Sequence, residues 1–255
     1  MGKILSQPDR EAIVAEAVER LAVPERRLFL KRSLSLGGLA LLTGCDLTDA
    51  KGVEAALSRI SRFNDRVQAW LFDPSRLAPT YPESMITRPF PFNAYYGEDQ
   101  VPQVNPETFR LEVAGLVADR RAWTLAALRA LPQSDQITRH ICVEGWSAVG
   151  RWGGVPFRLF LQRVGADLSA KYVGFKCLDG YYTSIDMPTA LHPQTILALT
   201  YDGDTLPPRY GFPMKLRIPT KLGYKNPKHI QAIFVTNSYP GGYWEDQGYN
   251  WFGGS

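Results

Sequence analysis

The sequence predicts an α+β fold of mixed strands and short helices, and three observations carry that expectation. The 255 residues include 22 Gly and 19 Pro, which multiply turns at the expense of long helices. Hydrophobic residues make up 45% and charged residues 21%, the balance of a chain that buries a core. Period-two and helix-period segments follow one another without a βαβ rhythm, which disfavours a doubly wound parallel sheet.

In chain order, Ile13, Ala17 and Leu21 lie at helical spacing within residues 1–24, a stretch that carries no functional signal. Arg26-Arg27 then precedes an apolar run from Leu34 to Leu42, a charged segment followed by a hydrophobic one. This pattern resembles a bacterial twin-arginine export signal, and its run of about 9 residues is far short of the roughly 20 that span a bilayer. Leu42-Thr43-Gly44-Cys45 resembles a lipobox, which would make Cys45 a lipidated N-terminus of the mature chain. The expected organisation is a signal over 1–44, a helix and linker over 45–84, and one domain over 85–255, located in the periplasm and there anchored through Cys45.

Ala56, Ile60, Phe63, Val67 and Trp70 recur every three or four residues and predict an amphipathic helix over 53–71. Prolines 74, 79, 82, 89, 91 and 102 make the next stretch an irregular loop, which its aromatic residues tie to a core. Alternation predicts a strand over 108–113, closed by Gly115; Thr124 caps a short helix that Pro132 stops. A strand over 137–143 brings Cys142 to its end, and Gly150 to Gly154 reads as a glycine-rich turn. Pro156 at the first helical position opens a helix over 157–164. Strands follow over 172–178, 196–201, 216–218 and 230–235, before an aromatic, glycine-rich tail.

The formal charge is +4, and beyond residue 44 it falls to 22 Lys/Arg against 20 Asp/Glu, too even for a nucleic-acid footprint. Three cysteines, at 45, 142 and 177, cannot build a disulfide framework or a structural zinc cluster. No P-loop, GxGxxG, HExxH or GxSxG pattern occurs, so the usual signatures of NTP hydrolysis, dinucleotide binding, zincin and serine hydrolase chemistry are lacking. Attention narrows to Cys142, at a strand end with cations nearby. A thiolate there suits a nucleophile or a soft-metal ligand, and the alternative is a buried, inert cysteine.

From about residue 85 to 236 the sequence resembles the sulfite oxidase fold family of molybdopterin oxidoreductases. Six stretches in order carry the resemblance: Phe92 to Gly97, Asn105 to Gly115, Cys142 to Ser147, Gly153 to Pro156, Leu206 to Pro213 and Gly223 to Lys228. Cys-Val-Glu-Gly-Trp-Ser at 142–147 is similar to the periplasmic protein-methionine-sulfoxide reductase branch. The resemblance implies a Mo-molybdopterin cofactor whose metal is bound by Cys142. It also implies cofactor contacts from Asn93, Tyr96 and Gly97, and a phosphate site at Lys215, Asn226, Pro227 and Lys228. The chain departs from that branch with Lys176-Cys177 in place of a threonine, Tyr210 in place of an asparagine and Lys215 in place of an arginine. Cys177 can accordingly be a cofactor contact, a core residue or a disulfide partner of Cys142.

Sulfite oxidases hold a dianion with basic residues beside the asparagine and the cysteine, and here those neighbours are aromatic, apolar or acidic. A pocket rimmed by Tyr95, Tyr96 and Trp146, with Cys142, Glu144 and Trp146 as the reacting set, suits a sulfoxide or thioether. The implied activity is oxygen-atom transfer from a small-molecule or protein sulfoxide, with electrons from a membrane b-type haem partner. A sulfite dehydrogenase and a metal-free tethered binding lipoprotein are the alternatives. The family's separate C-terminal Ig-like dimerisation domain has no room after Val235, so a monomer is expected.

Overall fold

A computed structural model describes residues 50–255, which divide into two compact units between Leu57 and Ser58. Of the first unit only the opening turns of a helix are described. The export signal, the lipobox and Cys45 lie outside the described residues. That helix, α1, runs from Ala50 to Leu71, and the loop after it is irregular except for single 3-10 turns at Glu83–Met85 and Glu98–Gln100. Among the described residues no helix is long and apolar enough to cross a membrane.

Among the described residues, ten strands form two five-stranded sheets. The first contains β1 (Arg110–Gly115), β2 (Trp123–Thr124), β5 (Tyr172–Cys177), β6 (Tyr182–Asp186) and β10 (Ile230–Thr236). Their order is β2-β1-β10-β5-β6, with only β1 and β10 parallel. The second sheet pairs β3 (Ser134–Ile141), β4 (Ser147–Pro156) and β7 (Ile196–Tyr201). The free edge of β7 takes both β8 (Asp204–Thr205) and β9 (Lys215–Arg217). Thus the α+β architecture of mixed sheets and short helices read from the sequence is the one observed.

Alternation places side chains on two cores. Leu111 and Val113 of β1, Val173 and Phe175 of β5 and Ile233 and Val235 of β10 turn to the main core. Helices α2 (Leu125–Arg129) and α3 (Phe157–Arg163) fill it with Leu125, Leu128, Phe157, Phe160 and Leu161. On β7, Leu197 and Leu199 join this core while Ile196 and Ala198 face a second one with Phe90, Trp152, Tyr201 and Tyr210. The second sheet is therefore covered on both faces. Burying one such aliphatic side chain contributes about 1.5–3 kcal/mol, so both cores fix this sheet firmly.

Thr124 caps α2 as the sequence predicts, its Oγ1 accepting from Ala127 N at 3.1 Å. The reading of Gly150 to Gly154 as a turn is corrected, because these residues form the middle of β4, the longest strand. A Cβ on Gly154 would lie 1.9 Å from Leu197 O, so glycine marks a close backbone approach to β7, where the register shifts. Pro156 closes β4 instead of opening the helix from its first position. Helix α1 has the predicted amphipathic pattern, but Ile60, Phe63, Val67 and Trp70 point outward.

Candidate active site

Strands β3 and β4 are joined by a hairpin turn whose last ladder pair is Ile141 with Ser147. Cys142 N donates to Trp146 O at 2.9 Å and Gly145 N to Cys142 O at 3.2 Å, so the turn is closed from within. Gly145 takes φ +90°, a conformation that a side chain would strain. The turn holds the Cys142 side chain, 7% exposed, at the wall of a cavity of about 150 Å³.

Asn93, Tyr96, Glu144, Asn226, Pro227 and Lys228 line the same cavity, so seven of the sequence-predicted site residues, counting Cys142, meet there. Asn93 Nδ2 lies 3.9 Å from Cys142 Sγ, and Asn93 O accepts from Lys228 Nζ at 2.7 Å. Glu144 Oε2 accepts from Trp146 Nε1 at 2.8 Å and lies 3.6 Å from Cys142 Sγ. Burial pushes the Cys142 thiol above its ordinary pKa, and the Glu144 carboxylate adds to that. The thiolate therefore needs a cation or metal beside it to persist at neutral pH.

The remaining predicted residues lie elsewhere. Trp146 does not line the cavity; it packs on His140 with ring centroids 5.8 Å apart and holds Glu144. Gly97 starts the 3-10 turn beyond Tyr96 and is not in the wall. Tyr210 sits in the second core with its hydroxyl donated to Phe90 O at 2.9 Å. Cys177 is a free cysteine buried in the main core and forms no disulfide with Cys142. Lys215 is fully buried with Nζ 4.8 Å from the Trp152 ring centroid, and a Cβ on Gly211 would meet the Cβ atoms of both Lys215 and Lys228.

Sequence reasoning missed Asp179, Tyr181, Tyr224, Trp244 and Tyr249, which also line the cavity. Tyr96 Oη donates to Asp179 Oδ2 at 3.0 Å, and Tyr95 Oη donates to the Asp179 backbone carbonyl. Asp179-Gly180 was legible as a turn, but its position opposite the cysteine hairpin depends on how the two sheets meet. The aromatic tail was legible as composition alone. Its anchor is Glu245, which accepts from Lys225 Nζ at 2.5 Å and Thr183 Oγ1 at 2.7 Å.

Electrostatics beneath the cavity are one-sided. Lys215, Arg217 and Lys228 are buried and, among the described residues, none forms an ion pair. Burial lowers all three, Lys228 to about 8 and Arg217 to about 9. His140 is completely buried, with neither ring nitrogen hydrogen bonded, and burial then neighbouring cations keep it neutral. Buried cations without carboxylates are costly unless an anion from outside the chain compensates them.

Residues 98–244 match the family model described as the oxidoreductase molybdopterin binding domain. A chain of Azospira oryzae, provisionally named protein-methionine-sulfoxide reductase subunit YedZ1, is 74% identical over 92% of this chain and 90% of its own length. The protein-methionine-sulfoxide reductase catalytic subunit MsrP of Burkholderia mallei is 28% identical over 96% of this chain and 81% of its own. Among solved structures, the sulfane dehydrogenase SoxCD of Paracoccus pantotrophus superimposes with a TM-score of 0.51 at 18% identity. The match covers 54% of this chain and 40% of that one, a likeness of fold. A cysteine thiol in the cavity wall, with buried lysines and an arginine that form no ion pair among the described residues, agrees with these matches, and the chain belongs to the molybdopterin-binding oxidoreductases of the sulfite oxidase fold.

Proposed function

We propose that this oxidoreductase removes the oxygen atom from a sulfoxide, methionine sulfoxide in a peptide or protein, outside the cytosol. The observation that carries the reading is the cavity wall around Cys142: tyrosines, Trp244 and the carboxylates Glu144 and Asp179, with no arginine. Arg151 is held by Asp135 and Glu83 at 2.9 and 2.8 Å, and Arg139 stacks on Tyr81 and lines a different cavity. The one lysine in the wall, Lys228, is tied to Asn93 O at 2.7 Å and is outnumbered by two carboxylates, which disfavour a sulfite dianion, whereas aromatic faces attract a neutral sulfur group by about 0.3–1.5 kcal/mol each.

The residues present fit the family's cofactor. Cys142 supplies a single soft donor; Lys215, Lys228 and the Asn226 to Lys228 segment supply cations and polar groups for a phosphate. When bound, the molybdenum group supplies a two-electron centre that accepts an oxygen atom. The net reaction joins a sulfoxide, two electrons and two protons to give a thioether and water. Glu144, oriented by the Trp146 indole, is the cavity's proton carrier nearest Cys142. Tyr95 and Tyr96 hold Asp179 against the opposite wall, and the rings between exclude water.

Electrons are taken from a membrane haem partner. Support for a partner is the designation of the relatives as a subunit and a catalytic subunit. Support for a location outside the cytosol is the Arg26-Arg27 leader in the sequence. Protein made in cells with an intact molybdenum cofactor pathway tests the reading. Bound molybdenum and reduction of a methionine sulfoxide peptide by a dye donor are expected, with little sulfite oxidation. Cys142→Ser is expected to lose activity while keeping its melting temperature. Faster turnover of sulfite, or an active Cys142→Ser protein, would overturn it.

A further inference from the structure

Helix α1 has its faces reversed for a helix packed on a domain. Ser61, Asp65 and Gln68 are the half-buried positions, while Ile60, Phe63, Val67 and Trp70 are 57%, 61%, 36% and 81% exposed. The four apolar side chains recur at i, i+3, i+7 and i+10, one stripe about 15 Å long at 1.5 Å per residue. Arg59, Arg62 and Arg66 each precede a member of the stripe and are exposed. The single acidic residue between Ser58 and Leu71 is Asp65, and it is turned away. Its Oδ1 accepts from Asn250 Nδ2 at 2.7 Å and from Phe252 N at 2.9 Å. Between Ser58 and Leu71 the outward surface is thus an apolar stripe bordered by three arginines, two of which, Arg62 and Arg66, also line a groove with Asp65 and Asp186.

We propose that this face lies in the headgroup region of an anionic lipid bilayer, with the helix parallel to the surface. The stripe is too short to span a membrane, and the arginines border it as they do in interfacial helices. Trp70, the most exposed large apolar residue in the described chain, is of the type that settles at the lipid–water boundary. Charge complementarity selects the lipid: three exposed arginines, none in an ion pair among the described residues, gain from an anionic surface and little from a zwitterionic one. The contact is independent of acylation at Cys45, which would add a second attachment five residues before Ala50.

The test uses the full chain carrying Cys45→Ser, so that no acyl anchor contributes. It is mixed with phosphatidylglycerol vesicles whose acyl chains are brominated, and tryptophan emission is recorded. Residues 1–49 contain no tryptophan, so quenching reports insertion of side chains from Trp70 onward. Quenching is expected, together with its loss in Trp70→Phe. The triple variant Arg59→Gln, Arg62→Gln, Arg66→Gln is expected to weaken binding on the order of a hundredfold at low salt. Arg59, Arg62, Arg66 and Trp70 are exposed, and thermal melting of each variant checks that it folds. Absence of quenching overturns the proposal, as does equal quenching in Trp70→Phe or equal binding to phosphatidylcholine. Shielding of Trp70 from aqueous iodide without lipid, scaling with protein concentration, would assign the stripe to a second copy and overturn it too.

Discussion

Glu245→Gln is expected to destabilise the domain more than any other single charge-removing exchange in the tail, and the reason is geometric. Glu245 and Lys225 are each 1% exposed and 2.5 Å apart. Removing the carboxylate leaves an ammonium buried against Trp251 and Tyr224 without its counter-ion. Breaking one side of such a pair costs about 3–5 kcal/mol, and at about 2–4 °C per kcal/mol for a domain of this size the melting temperature drops by roughly 6–20 °C. Lys225→Met is expected to cost a similar amount, since it strands the carboxylate. The double variant removes both charges and is expected to return to within about 2 kcal/mol of the parent, because a buried pair is worth little against an apolar replacement. Thermal and urea unfolding of all four proteins closes the cycle. The pair also joins the Gly223–Lys225 turn to the tail that carries Trp244, both in the cavity wall, so each single variant is expected to hold less molybdenum. Single variants within about 1 kcal/mol of the parent, or a double variant that loses their sum, would refute the argument.

Other consequences are equally open to measurement. Lys221 and Lys228 fall to about 7 and about 8 in the folded chain because they are buried, against about 10.4 unfolded. Above those values the unfolded chain holds more protons than the folded one, so cofactor-free protein is expected to gain stability between about pH 8 and 10. Lys228→Met is expected to reduce that slope, and a melting temperature that falls across the window in the parent would contradict the assignment. Glu144→Gln is expected to lower kcat roughly a hundredfold with sulfoxide while leaving the molybdenum content unchanged; undiminished turnover would remove it from proton delivery. Gly145→Ala meets no atom within 4 Å and is expected to cost only its backbone strain, about 1–2 kcal/mol. Gly115→Ala would put Cβ 2.1 Å from Val235 O and is expected to disrupt the β1–β10 pairing by several times that, as calorimetry can compare.

Several parts of the fold were open to local reading. Strands β7 and β10 and the capped helix α2 were placed within a residue or two, since alternation and a Thr cap are near-neighbour signals. Strand β4 was hidden by its glycines, which argue for a turn until the facing strand β7 is seen to need their missing side chains. The pattern of α1 was legible, but not the direction of its apolar face: periodicity fixes which residues share a side, not which side meets the domain.

For the site, the sequence by itself determined the chemistry on offer: one thiol in Cys142-Val143-Glu144-Gly145-Trp146, an asparagine loop and a lysine-bearing segment. It could not say that Trp146 serves Glu144 instead of the cavity, or that Cys177 belongs to the core. Nor could it bring Asp179 and Trp244 to face a cysteine that is far from both in the chain. Those facts arise where two sheets and a tail converge, and contacts between segments remote in sequence leave no periodic trace within any one of them. Side-chain type is a local property; which groups are stripped of water together, and so which charges are left unpaired, is decided only when the sheets close.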